Sequence, residues 1–119
     1  MLNLDTHILI FALTDDLTAH EKRVLAKNDW GVSAIVMWEL AKLVQLERID
    51  LALHSGEVRQ VLSKLTVWPL DLAVAIKSTE LDFHSDPADE IIAATSMVYD
   101  VPLLTRDVKI RKSKLLRFA

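Results

Sequence analysis

The sequence contains no cysteine, only two glycines and three prolines, and no long apolar run. Without cysteine, the chain can form neither a disulfide framework nor a thiolate metal site, and it has no cysteine nucleophile. No apolar stretch reaches the ~18 residues that a membrane-spanning helix needs. The apolar N-terminal stretch also lacks the basic start of a signal peptide. We therefore expect a cytoplasmic protein without membrane attachment, since a chain free of disulfides suits a reducing compartment.

A basic overall charge is also missing. The net charge is −3 at pH 7, which excludes nucleic-acid binding through bulk charge alone. Positive charge is concentrated in residues 106–119, which hold six cations and a single acid, Asp107. The cations are Arg106, Lys109, Arg111, Lys112, Lys114 and Arg117. This strip is either a solvated basic tail or, beside an acidic pocket, a surface that holds a nucleic-acid backbone.

Apolar residues are plentiful, at 51% of the 119 residues, and 26% are charged. This composition is sufficient for one domain spanning residues 1–119. Strand-like runs alternate with helical patterns, which predicts an α/β fold with a mostly parallel sheet. We predict strands at residues 2–4, 30–32, 66–70, 101–104 and 115–118. We predict helices at 8–13, 19–27, 34–46, 55–64, 72–80 and 87–100, and a short basic helix after Asp107.

Local signals define several of these helices. Thr18 followed by Glu21 is typical of a capping box, and Asp86 before Pro87 is typical of an N-cap. The first helix has more apolar surface than one core face needs, so it is either buried on several sides or binds a partner. The buried side of helix 34–46 is predicted to carry Ile35, Trp38, Leu40, Ala41 and Val44.

Four carboxylates are candidates for one shared site: Asp5, Glu39, Asp89 and Asp107. Asp5 and Asp107 follow predicted strands, and open α/β sheets bind ligands at the carboxyl ends of their strands. Asp89 lies in the first turn of the neighbouring helix. Each acid also has a purely structural alternative. Glu39 can point to solvent, Asp89 can stabilise a helix N-terminus, and Asp107 can cap the helix that follows it.

If the four acids converge, their chemistry points to a metal ion. Carboxylates within ~4–6 Å of one another cannot all stay ionised without a counter-charge. Oxygen ligands without cysteine or clustered histidine suit Mg²⁺ or Mn²⁺. Such an ion can activate water and stabilise the departing oxygen of a phosphodiester. Spacing along the chain does not by itself establish this site.

The segments LNLDTH, WELAKL, DPADEIIAAT and LLTRD resemble, in order, the motifs of the PIN domain, and in particular of VapC-type toxin ribonucleases. The resemblance covers nearly the whole chain. It implies an α/β/α sandwich with a sheet of four or five strands. It also implies an endoribonuclease that uses one or two Mg²⁺ or Mn²⁺ ions.

The resemblance assigns roles to individual residues by motif match. The metal-binding acids are Asp5, Glu39, Asp89 and Asp107. Thr105 matches a hydroxyl residue that stands beside the metal or its water, and Thr6 and His7 match residues that line the pocket. We expect RNA contacts from Thr6, His7, Arg106, Lys109, Arg111 and Lys112. One departure is Glu90, which stands where the family very often has a basic residue and so adds negative charge at the rim.

The resemblance also implies partners. These are a small antitoxin that blocks the acidic pocket, a second copy of the chain in a homodimer, and operator DNA that is bound only through the antitoxin. A degenerate PIN-like module that binds RNA or protein without cutting is the alternative, and retention of all four acids speaks against it. Metal binding separates the two, because a catalytic site should bind Mn²⁺, and Asp5→Asn or Asp89→Asn should weaken that binding.

Two other classes of α/β protein fit less well. A haloacid-dehalogenase-like phosphatase also begins with an aspartate after the first strand, but it needs a second one two residues later, where this chain has His7. A phosphoacceptor receiver domain needs an acidic pair near Asp5 and a lone aspartate after the third strand. Asp71 fits the second requirement, but Asp5 has no acidic neighbour.

Overall fold

The computed structural model describes all 119 residues. Strands and helices alternate in the order that the sequence predicts. The strands are β1 (Leu2–Leu4), β2 (Trp30–Ser33), β3 (Thr66–Trp68) and β4 (Leu103–Leu104). The helices are α1 (Thr6–Thr14), α2 (Ala19–Ala26), α3 (Ala34–Gln45), α4 (Gly56–Ser63), α5 (Leu72–Ser78), α6 (Pro87–Tyr99) and α7 (Val108–Arg111).

The four strands form one parallel sheet in the order β3-β2-β1-β4, flanked by helices. This confirms the predicted α/β/α architecture. β1 lies in the middle of the sheet, where Asn3 is opposite Gly31 on one side and Leu103 on the other. Because all strands run the same way, their carboxyl ends meet at one edge of the sheet.

The predicted fifth strand, residues 115–118, is reduced to a single parallel bridge between Leu103 and Phe118. Backbone bonds on either side of this bridge, from Leu103 to Arg117 and from Ala119 to Leu103, cover the outer edge of β4. β3 and β4 are also shorter than predicted. The predicted runs include Pro69 and Pro102, which have no backbone N–H to donate to a neighbouring strand.

Capping residues behave as expected at most helix starts. Thr18 and Glu21 form a complete capping box at α2, and Ser33 and Asp71 cap α3 and α5. Asp86 is the exception: it stands at the N-cap position of α6, but its side chain makes no capping hydrogen bond. The prediction of Asp86 as a side-chain cap was therefore wrong, although the helix begins where it was expected to.

The core includes residues of β1, α1, α3, α6 and β4. In α1 the three consecutive residues Ile8, Leu9 and Ile10 are all buried, so this helix is enclosed on more than one side. In α3 the buried residues are Val36 and Leu40, whereas Trp38 is 57% exposed. The predicted buried face of α3 was therefore wrong: the face that is buried in the structure is displaced around the helix axis from the predicted one. No helix is both long enough and apolar enough to cross a membrane.

Candidate metal-binding active site

Asp5 lies at the carboxyl end of the central strand and is almost fully buried, at 5% exposure. Its Oδ1 accepts a hydrogen bond from the backbone N–H of Thr6 (2.8 Å), and its Oδ2 accepts one from the Thr105 hydroxyl (2.6 Å). The Thr105 oxygen also accepts from the backbone N–H of Asp107 (3.0 Å). Thr105 therefore links the first acid to the loop that carries the last one.

Glu39 reaches the same place from α3. The hydroxyl of Thr6 donates to Glu39 Oε1 (2.5 Å), and Thr6 itself is buried. One residue thus orients two carboxylates, Asp5 through its backbone and Glu39 through its side chain. The alternative in which Glu39 simply points to solvent is wrong.

The other two acids come from the starts of helices. Asp89, in the first turn of α6, accepts a hydrogen bond from the Ser85 hydroxyl at Oδ2 (2.7 Å). Asp107 caps α7 by accepting at Oδ1 from the backbone N–H of Ile110 (3.1 Å). The structural role considered for Asp107, as the cap of the helix that follows it, is therefore confirmed. Its second oxygen, Oδ2, makes no hydrogen bond and stays available to a ligand.

The four acids lie close enough to influence one another electrostatically. Burial is the largest cause that raises the pKa of Asp5, Glu39 and Asp89 above the usual range. Repulsion adds to it: Asp107 raises the pKa of Asp5, both Asp89 and Asp5 raise that of Glu39, and Asp5 and Asp107 raise that of Asp89. The exposed His7 opposes the shift at Asp5 and Glu39. Negative charge is therefore under-compensated at this edge of the sheet.

The donor set fits a hard divalent cation. It consists of carboxylate and hydroxyl oxygens, which are the ligands that Mg²⁺ and Mn²⁺ prefer. Glu39 Oε2, Asp89 Oδ1 and Asp107 Oδ2 make no hydrogen bonds within the protein. As the side chains stand, no three of the histidines, aspartates and glutamates are arranged to hold one ion. Coordination of one ion by these acids would therefore require some of their side chains to change rotamer.

Arg106 was expected to contact RNA; in the structure its guanidinium is held mainly by other groups of the protein. Its Nε and Nη2 donate to the two carboxylate oxygens of Glu21 (2.7 Å each), and Nη2 also donates to the backbone oxygen of Asp16 (2.9 Å). The guanidinium carbon lies 3.9 Å from the centre of the Phe11 ring. Sequence reasoning missed this pairing because Glu21 already had a role, in the capping box.

The remaining cations next to the site are less constrained. Lys109 and Lys112 are exposed and make no hydrogen bonds or ion pairs through their side chains. Arg111 lies over the Phe118 ring and donates weakly to the backbone oxygen of Thr105 (3.3 Å). Glu90 accepts a hydrogen bond from the backbone N–H of Ser85 (3.3 Å). It therefore supports the loop before α6 and does not join the four acids.

The fold and the site together define a class: a parallel α/β/α sandwich with several acids near the carboxyl edge of its sheet. The particular family follows from comparison with known proteins. The PIN-domain family profile matches residues 3–114, so the chain belongs to the PIN-domain family. Ribonuclease VapC22 of Mycobacterium tuberculosis is 33% identical over 93 residues, which cover 73% of this chain and 69% of that protein. The resemblance to VapC-type members is thereby confirmed.

Solved structures share the fold. A toxin–antitoxin complex from Klebsiella pneumoniae contains a chain with a TM-score of 0.73 at 21% identity, covering 94% of this chain and 91% of that one. VapBC2 from Rickettsia felis, bound to a DNA fragment from its promoter, gives 0.72 at 21% identity, covering 100% and 98%. FitAcB from Neisseria gonorrhoeae gives 0.69 at 22% identity, covering 100% and 97%.

Proposed function

We propose that this protein is a divalent-metal-dependent endoribonuclease, the toxin of a toxin–antitoxin pair. The observation that carries the proposal is the convergence of Asp5, Glu39, Asp89 and Asp107 at one edge of the sheet, with a shared excess of negative charge. Membership of the PIN-domain family and the similarity to a ribonuclease support it.

In the proposed mechanism, the four carboxylates hold Mg²⁺ or Mn²⁺, as one or two ions. A bound ion supplies a water of lowered pKa and charge stabilisation for the departing oxygen. Thr6 and Thr105 keep Asp5 and Glu39 oriented through the hydrogen bonds described above. Glu39 Oε2, which has no protein partner, is placed to accept a hydrogen bond from water at the site.

The direct test is cleavage of total cellular RNA by purified protein that is free of any co-purifying partner. We expect cleavage with Mn²⁺ or Mg²⁺, and none when the ions are chelated. Sequencing the cut ends then names the target. Protein that binds Mn²⁺ without cutting the pool has a narrower substrate. Protein that neither cuts nor binds Mn²⁺ is the non-catalytic RNA- or protein-binding module, and the proposal is then wrong.

The RNA backbone is proposed to lie on the basic strip next to Asp107, with the exposed His7 beside the acids. The RNA contact predicted for Thr6 is not kept, because Thr6 is buried and its hydroxyl donates to Glu39. Replacing Lys109 and Lys112 together by glutamine should weaken RNA binding. It should also reduce the slope of log K against log salt by up to about 0.7 per lost phosphate contact. The measurement is a titration at several salt concentrations, with Asp5→Asn present in all proteins to prevent cleavage.

A double variant with the same change of charge, Lys27→Gln and Lys64→Gln, is the matched control. These lysines precede β2 and β3, so they lie near the amino ends of the strands, away from the site. The control should keep the original slope. If both double variants lower the slope equally, the strip has no special role and is a solvated tail.

The proposed partners come from the same comparisons. Among the structural neighbours are a toxin–antitoxin complex and VapBC2 bound to a DNA fragment from its promoter. We propose a small antitoxin that blocks the acidic pocket with a basic side chain, a homodimer of this chain, and contact with operator DNA only through the antitoxin. A basic side chain of the antitoxin suits this contact with the acids, because it would neutralise the same excess negative charge as a metal ion.

A further inference from the structure

Four residues from three segments form what we call the Arg106 clamp: Phe11, Asp16, Glu21 and Arg106. The guanidinium of Arg106 is stacked on one aromatic ring and donates to three oxygens, two from Glu21 and one from Asp16. Bidentate pairs of this kind restrict geometry more than a single ion pair does. The clamp therefore ties residue 106 to the end of α1 and the start of α2.

Glu21 is unusually well suited to this task. It is only 6% exposed, and both of its carboxylate oxygens accept hydrogen bonds. Oε1 accepts from the Thr18 backbone N–H (2.9 Å) and from Arg106 Nη2, while Oε2 accepts from Arg106 Nε. The hydrogen bonds from Arg106 lower the pKa of Glu21 to about 2, so the pair remains charged throughout the neutral range. A buried carboxylate with this many partners is held rigidly.

The clamp holds residues 105–107, a short segment that carries two residues of the proposed site. Arg106 is flanked by Thr105, whose hydroxyl donates to Asp5, and by Asp107, one of the four acids. Residues 105–107 belong to neither β4 nor α7. Their backbone conformation therefore depends on side-chain anchors. Arg106 is the anchor with the most side-chain hydrogen bonds, three in all, although the bond from Thr105 to Asp5 is slightly shorter.

We propose that Arg106 and Glu21 are positioning residues of the nuclease site, which hold the 105–107 segment so that Thr105 and Asp107 face Asp5. On this proposal the main role of Arg106 is to position the segment and not to bind RNA phosphates, because its Nε and Nη2 groups already donate within the protein and only Nη1 has no partner. The inference rests on the proposed function, but metal binding tests it separately from cleavage.

The experiment compares Arg106→Gln and Glu21→Gln with wild type. Three quantities are measured: the Mn²⁺ dissociation constant by calorimetry, kcat and KM on one defined RNA, and the salt dependence of RNA binding. We expect each variant to weaken Mn²⁺ binding and to lower kcat by about 10–100-fold, the usual effect of losing a group that orients a metal ligand. KM and the salt slope should change little.

Two further variants make the outcome decisive. Arg59→Gln is the matched control, because it removes an equally charged, exposed side chain from α4, outside the basic strip, and it should behave like wild type. Arg106→Lys keeps the charge but can form only part of the fork. It should recover part of the Mn²⁺ affinity and should remain folded even if Glu21→Gln does not.

The contrary outcomes are distinct. If wild type binds Mn²⁺ and the clamp variants bind it equally well, the positioning role is wrong. If Arg106→Gln instead raises KM and flattens the salt slope while Glu21→Gln has no effect, Arg106 is an RNA contact. If wild type neither binds Mn²⁺ nor cleaves RNA, the proposed function fails, and the positioning role fails with it.

Discussion

Replacement of Asp5 by asparagine should lower the rate of RNA cleavage by about 10³-fold. This factor corresponds to the loss of several kcal/mol of charge stabilisation at the metal site. Asp5 is the most buried of the four acids and contributes to the raised pKa of both Glu39 and Asp89. The measurement is the single-turnover cleavage rate of a defined RNA at saturating Mn²⁺.

The same substitution should leave the fold intact. The asparagine oxygen can still accept from the Thr6 N–H, and the Thr105 hydroxyl can rotate to accept from the new amide. Asp50→Asn is the matched control, since Asp50 is exposed and lies between α3 and α4, and it should cleave at the wild-type rate. A fully active Asp5→Asn protein would remove Asp5 from the mechanism.

The raised pKa values add a stability signature to this variant. A carboxyl whose pKa is higher in the folded than in the unfolded protein favours folding at low pH, and this contribution is lost as pH rises through the folded pKa. At neutral pH the ionised acids therefore destabilise the metal-free protein. We expect Asp5→Asn to have a Tm at pH 7 no lower than that of metal-free wild type.

Addition of Mn²⁺ should produce the second large effect, a rise in Tm. At a hundredfold excess over the dissociation constant, a ligand that binds only the folded protein stabilises it by about 2.7 kcal/mol. For a chain of this length that corresponds to a shift of about 10 °C. The physical reason is that the ion neutralises carboxylates that burial and mutual repulsion have left under-compensated. Differential scanning fluorimetry with and without a chelator measures the shift.

Asp89→Asn should abolish most of this Mn²⁺-dependent shift, because it removes one of the acids with a free carboxylate oxygen. Glu57→Gln is the matched control: Glu57 occupies the first turn of another helix, α4, and is exposed. It should keep the full shift. An equal shift in wild type and Asp89→Asn would mean that the ion binds elsewhere, and the assignment of Asp89 as a ligand would be wrong.

Local sequence signals predicted the order of strands and helices and the capping box of α2. They also placed Asp5, Asp89 and Asp107 at one edge of the sheet. These features depend on residues close together in the chain, or on the rule that parallel strands end at the same edge. Their roles as metal ligands and RNA contacts remain predictions.

Features that depend on distant contacts were not predictable in the same way. The pairing of Arg106 with Glu21 joins residues 85 positions apart, and nothing local to either residue signals it. The rotation of α3 has a similar cause. Its apolar residues run nearly all round the helix, so contacts with the sheet and with Thr6 decide which of them is buried.

Because β1 lies in the middle of the sheet, the order in which its neighbours pair with it during folding determines when the site residues come together. β1 pairs with β2 and also with β4, which lies about 100 residues further along the chain, and the Asp5–Thr105 hydrogen bond spans the same separation. Contacts between residues this far apart in the chain form slowly, because the entropy of closing a large loop is lost before any stabilising contact is made. A partly folded chain with β4 undocked has Asp5 without Thr105 or Asp107. On the proposed mechanism the site is therefore complete only when β4 docks, so we expect no cleavage by a chain in which β4 is undocked.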